Sequence, residues 1–167
     1  IDYFDNKSSK KIVKKYGKAK IITATNVFAH IDNINLIMKS ILQTLKSDGV
    51  FISESHYLLQ LIKDVQYDTI YHEHLRYYSL DSLNFLFKKF NLEIIHTKEI
   101  PTHGGSIRVY AARKRVFKIS SSVRKQLSKE RKYLNKKNLD RFKDNVVKSK
   151  INLFNIIKKI KDKNQSI

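Results

Sequence analysis

The stretch KIITATNVFAH, residues 20–30, decides how the chain is to be read. It opens on an apolar run behind Gly17 and Lys18, the pattern of a buried strand, and closes on polar residues that end in His30. Just beyond it, Asp32 or Asn33 can cap a helix whose apolar residues fall at Ile34, Ile37, Met38, Ile41, Leu42 and Leu45. That spacing makes one broad helical stripe. KSDG then reads as a turn, and VFIS as a second short apolar strand. Strand, helix, strand is the repeating unit of a parallel sheet, whose ligands bind where the strands end. TNVFAH and SESHY occupy two such ends, so their polar residues are the first site candidates.

The pattern continues on both sides. IDYF at the start reads as a strand already under way, and a chain that opens on Ile1 rather than methionine is expected to be a fragment. A second helix is expected over 57–65, with Leu58, Leu59, Leu61 and Ile62 inward. Ser79 is a natural N-cap for LDSLNFLFKKF, whose stripe runs Leu83, Leu86, Phe87 and Phe90. NLEIIHTKEI and SIRVYAA read as two strands without a helix between them, parted by Pro101 and the pair Gly104–Gly105. The expected fold class is therefore α/β, a doubly wound sheet ending in a hairpin. From Ser120 onward Gly, Pro and strand signals are absent. Leu139, Phe142, Val146, Leu153, Ile157 and Ile160 recur at helical spacing among lysines, as in one or two long amphipathic helices. Coiled-coil pairing is the alternative there, although no strict heptad persists.

Composition narrows the class. The 167 residues carry no cysteine, so disulfides and thiolate metal sites are excluded from this chain. No apolar run approaches the ~20 residues that span a bilayer, and no targeting segment is recognisable, so a cytoplasmic protein without membrane contact is expected. The net charge of +19 raises the question of nucleic acid. The excess is mostly lysine on helical polar faces, where long stems cover apolar surface while the charges stay wet, so nucleic acid is not the expected partner.

YDTIYHEHLRYYS, residues 67–79, is the densest chemistry in the chain. His72 and His74 would share a face on an extended segment and could reach one metal, but a metal site needs three or four protein ligands, and no HExxH pattern supplies them. Acid–base chemistry is the other reading, since a histidine titrates near neutrality, with Tyr71 as a second proton carrier and Glu73 as an orienting carboxylate. A tyrosine-rich surface loop is the third. His30, His56 and the His103 of PTHGGS add polar groups at neighbouring strand ends.

TNVFAHI, SDGVFISESHYLLQLI, QYDTIYHEHLRYYS and PTHGGSIRVYAAR together resemble, in order and spacing, the SAM-dependent sugar C-methyltransferases, which methylate C3 of nucleotide-linked 4-keto deoxysugars. The resemblance implies that residues 1–115 are a partial methyltransferase domain, the second half of a class I, Rossmann-like sheet. Residues 116–167 are then a helical linker toward a C-terminal domain. It implies S-adenosyl-L-methionine as cofactor and a nucleotide-linked sugar as substrate, with zinc only in an N-terminal domain that this chain does not include. It implies His74, Tyr71, His30 and Glu73 as catalytic residues, Ala24, Asn26 and Val27 beside the cofactor, and Tyr57, His103 and Arg108 on the substrate side. Arg76 departs from the family pattern, where a small residue is commoner. The family's glycine-rich SAM loop is not in this sequence, so the chain alone is expected to bind SAM poorly and to be inactive.

Overall fold

The computed structural model describes residues 3–166. Tyr3 and Phe4 have no regular structure, so the strand expected in IDYF is not seen there; Ile1 and Asp2 lie outside the described residues. Instead the chain enters helix α1, Asn6–Tyr16. Its start is a reciprocal capping box, the Ser8 amide donating to the Asp5 carboxylate at 2.7 Å and the Asp5 amide to Ser8 Oγ at 2.8 Å. Lys14 and Lys15 sit in its last turn, where the helix dipole favours cations.

Strand β1, Ala19–Thr25, leads to a 3-10 turn at Phe28–His30 and then to helix α2, Ile34–Thr44. Asn33 is the N-cap, its side chain accepting from the Leu36 amide at 3.1 Å. Strand β2, Leu45–His56, pairs parallel to β1. The KSDG segment is bulged out of that pairing, which passes from Ala19 opposite Leu45 to Ile21 opposite Val50. Gly49 permits the close approach: a β-carbon there would meet the Lys20 carbonyl at 3.0 Å and the Leu45 side chain more closely still.

Helix α3, Leu58–Lys63, and helix α4, Leu80–Lys89, flank the loop that contains YHEH. Ser79 caps α4 in a second capping box, with Ser82 as its partner. Strands β3, Leu92–Ile100, and β4, Ser106–Arg113, form the expected hairpin. β4 inserts beside β2, giving the order β1-β2-β4-β3, with β4 antiparallel to both neighbours.

A second expectation needs correcting. β1 is an edge strand here, and its Ile21 is 61 % exposed, although its apolar run has the look of a strand covered on both sides. The core lies further in, around Phe28, Phe51, Phe87 and Tyr78, with Met38, Ile41, Leu83, Ile107 and Val109. Phe51 meets Phe87 edge-on at 5.8 Å and Phe28 at 5.6 Å, separations at which aromatic pairs attract beyond their buried area.

Helices α5, Ser121–Tyr133, and α6, Lys136–Asp162, complete the chain. α5 packs on β3 and α4. α6 touches α3 in its first turns and has no buried residue; Leu153, Phe154 and Ile156 are each more than half exposed. Among the described residues no helix is long and apolar enough to cross a membrane.

Candidate active site

The ends of β1 and β2 open onto a cavity of about 560 Å³, whose lining includes Asn26, His30, Ser55, His56, Tyr71, Glu73, His74 and His103. Core packing puts these groups there. Phe28 is fully buried two residues before His30, so the 3-10 turn is anchored from below while its histidine faces outward. Asn26, with φ of 53°, turns the chain sharply off β1, and its amide donates to the Glu54 carbonyl at 2.9 Å. Asparagine is among the few residues that tolerate this left-handed geometry.

The YHEH loop is laced to the His30 turn through the main chain. The Leu75 amide donates to the Ala29 carbonyl at 2.9 Å, and the Tyr78 hydroxyl to the Phe28 carbonyl at 3.3 Å. The Arg76 guanidinium donates to the carbonyls of Ile31 and Asp32. A small residue at position 76 could not make that clasp.

Two histidines meet in this laced region, their ring centroids 5.0 Å apart. His74 Nδ1 lies 2.7 Å from the Thr69 carbonyl, and His30 Nδ1 lies 3.0 Å from the Glu73 carbonyl. A carbonyl oxygen only accepts, so each Nδ1 must carry the proton, leaving Nε2 of the neutral ring as the acceptor. Glu73 therefore orients a histidine, but through its backbone oxygen rather than its carboxylate. The Tyr71 hydroxyl stands 3.5 Å from His74 Nε2, with the rings at 4.5 Å. Tyr77 meets the same imidazole edge-on, and burial pushes its phenol above the ordinary value.

His56 has the opposite tautomer. Its Nε2 lies 2.7 Å from Gln66 Oε1, and Gln66 Nε2 donates to the Gly104 carbonyl at 2.7 Å. Since that amide nitrogen faces a carbonyl, its oxygen must accept from His56. Gln66 thus ties the end of β2 to the THGG turn, where His103 adopts φ of 53° at the cavity wall.

The remaining candidates separate. Ala24 and Val27 line a different groove of about 530 Å³, apolar and bounded by Phe4, Ile22, Phe28 and Ile31. Arg108 is not on the cavity wall; its guanidinium pairs with the buried Glu54 carboxylate at 2.6 and 2.7 Å, the residue opposite it in the sheet. Tyr57 is 1 % exposed. Its hydroxyl donates to Glu130 Oε2 at 2.9 Å and accepts from Gln126 at 3.0 Å. Burial, reinforced by the Glu130 charge, raises its pKa far above the ordinary value despite the opposing Gln126 bond. His72 lies outside the cavity lining, and among the described residues no three of His, Cys, Asp or Glu gather as a metal would require.

Thr69 and Ser55 escaped the sequence reading. Thr69 acts through a carbonyl, which every residue has. Ser55 stands inside SESHY, at a strand end already favoured, and only burial marks it out.

Comparison with known proteins bears on this geometry. A methyltransferase-domain family model matches residues 2–97, and a C-methyltransferase C-terminal-domain model matches residues 101–167. C-methyltransferase NovU of Streptomyces niveus is 38% identical over 109 residues, 65% of this chain and 26% of that protein. The chain thus spans about a quarter of that relative's length. A SAM-dependent methyltransferase of Anabaena variabilis, solved by crystallography, shares the fold at a TM-score of 0.50 and 13% identity, over 68% of this chain and 57% of that one.

Proposed function

The chain belongs to the methyltransferase-domain family, and from that premise we propose that it carries the acid–base half of a SAM-dependent methyl transfer to carbon, on a nucleotide-linked 4-keto deoxysugar in the cytoplasm. The observation that carries the reading is the Thr69 carbonyl on His74 Nδ1, which leaves Nε2 as the ring's proton acceptor, beside the Tyr71 hydroxyl in a cavity at the strand ends. His74 takes the proton from C3, which the neighbouring ketone makes acidic. The electron pair moves into an enolate, whose carbon would take the methyl as the methyl–sulfur bond of the sulfonium breaks and its electron pair stays on sulfur, leaving a neutral thioether. A positioned base of this kind contributes about 10²–10⁴-fold. Tyr71, beside the same nitrogen, passes the proton on or polarises the ketone. His30 presents its own Nε2 from the facing turn, and Glu73 holds that ring.

SAM supplies an electrophilic methyl group. The groove lined by Ala24 and Val27 is apolar and suits the flat base of such a cofactor, whereas Asn26, between them in the chain, lines the histidine cavity. His103 lies on the substrate side. Residues 1–115 would be the methyltransferase part, and 116–167 the connection into a C-terminal domain.

The test is to incubate the intact protein with a 4-keto sugar nucleotide in deuterated water, with and without SAM. We expect deuterium to enter C3 without SAM, and the C3 hydrogen to be lost from the product when SAM is present. A methylated product that retains its C3 hydrogen, with the methyl on oxygen or nitrogen, overturns the reading.

A further inference from the structure

The side chains of β2 alternate in register, and Ser53 and Ser55 share the same side of the sheet, 1 % and 2 % exposed. Among the described residues neither hydroxyl has a hydrogen-bond partner. A buried hydroxyl without a partner destabilises a fold, and replacing it by a group that needs none is neutral or favourable. Only one of the two has a cavity to answer to: Ser55 lines the space shared by His30 and His74, and Ser53 does not.

We propose that the Ser55 hydroxyl is a substrate-contacting group, which donates a hydrogen bond to the ketone oxygen of the methyl acceptor. This rests on the reaction proposed above. The Nε2 atoms of His30 and His74 can only accept while neutral, so a substrate oxygen in the cavity takes its hydrogen bonds from hydroxyls; Tyr71 offers one at the outer wall, and Ser55 a second from the strand end. A serine hydroxyl rotates freely and donates to a ketone, and it continues to donate as negative charge gathers there. The acceptor rather than the methyl donor is the partner, because Ser55 stands with the histidines and not in the groove of Ala24 and Val27. In this view the fold tolerates an unsatisfied hydroxyl at Ser55 because the ligand satisfies it.

The test compares Ser55→Ala, Ser55→Cys and Ser53→Ala in the intact protein, by melting without ligand and by steady-state kinetics with SAM and the keto sugar nucleotide. Ser55→Ala should melt no lower than the wild type and leave KM for SAM unchanged. Its kcat/KM for the acceptor should fall about 10–100-fold, as when a hydrogen bond to a charge-bearing oxygen is lost. Ser55→Cys, with a weaker donor of similar shape, should fall between. Ser53→Ala should melt like Ser55→Ala with unchanged kinetics. If Ser55→Ala keeps kcat/KM within about twofold, or melts more than about 5 °C lower, the proposal is wrong while the methyltransferase reading stands. If the wild type itself does not methylate the keto sugar, both fall.

Discussion

Tyr57 and Tyr71 stand at two places where a phenol meets a proton-carrying side chain, and the contrast between them separates a joint from a site. Tyr57 is buried, and its hydroxyl is committed on both sides, to Glu130 and to Gln126. The same Glu130 carboxylate also accepts from the Leu80 and Asp81 amides at 2.6 and 3.1 Å, closing the start of α4. Tyr71 is 45 % exposed, and its hydroxyl makes one long contact, 3.5 Å to the outer nitrogen of the imidazole it faces, at the wall of a cavity. Where hydrogen-bonding capacity is used up, the residues hold helices together. Where it is left over at a cavity wall, they can act on a ligand.

Substitutions can break this contrast, the largest effect first. His74→Asn should lower kcat by about 10²–10⁴-fold with little change in melting temperature; turnover near wild type would remove His74 from the base position. Glu130→Ala should do the reverse. It strands a buried hydroxyl and two helix amides, and should cost about 3 kcal/mol, or roughly 6–12 °C in Tm, while the folded fraction keeps its kcat. An equal loss in both measurements would mean that joint and site are one unit. The smallest effect is expected at Glu99, beside the joint. Burial pulls its pKa up, but hydrogen bonds from Lys129 and Gln126 outweigh that and leave it below the ordinary 4.5. The unfolded chain then binds the proton more readily. The stabilisation is complete above about 4.5 and is lost as the pH falls through the lower folded value. Glu99→Gln should flatten acid unfolding slightly in that window, as followed by circular dichroism.

The sequence was most legible where a local pattern and a long-range contact agree. Ser79 before Leu83 and Phe87 announces both a cap and a stripe, and α4 has both. It was less legible where neighbours decide. The run IITA in β1 looks the same whether one or two strands flank it, and only the sheet order shows it at an edge. α1 was hidden because NKSSKKIVKKY is mostly polar, although the Asp5–Ser8 capping box was there to be read. At the site, His30, Tyr71 and His74 could be picked from their letters. The Thr69 and Glu73 carbonyls that set their tautomers could not, because a backbone oxygen has no letter. Tyr57 was expected on the substrate side through the resemblance, and its hydrogen-bond partner, 73 positions later, is invisible to any local window.

That separation also has a consequence during synthesis. All four strands end by Arg113, yet the carboxylate that accepts from the first amides of α4 and from Tyr57 belongs to residue 130. A nascent chain that has emerged only through the β3–β4 hairpin has α4 capped by Ser79 but still lacks the acceptor for the Leu80 and Asp81 amides and leaves an orphan phenol in its interior. Its folding should therefore wait for α5, and a pause in translation just after the hairpin would expose the half-sealed core to other chains.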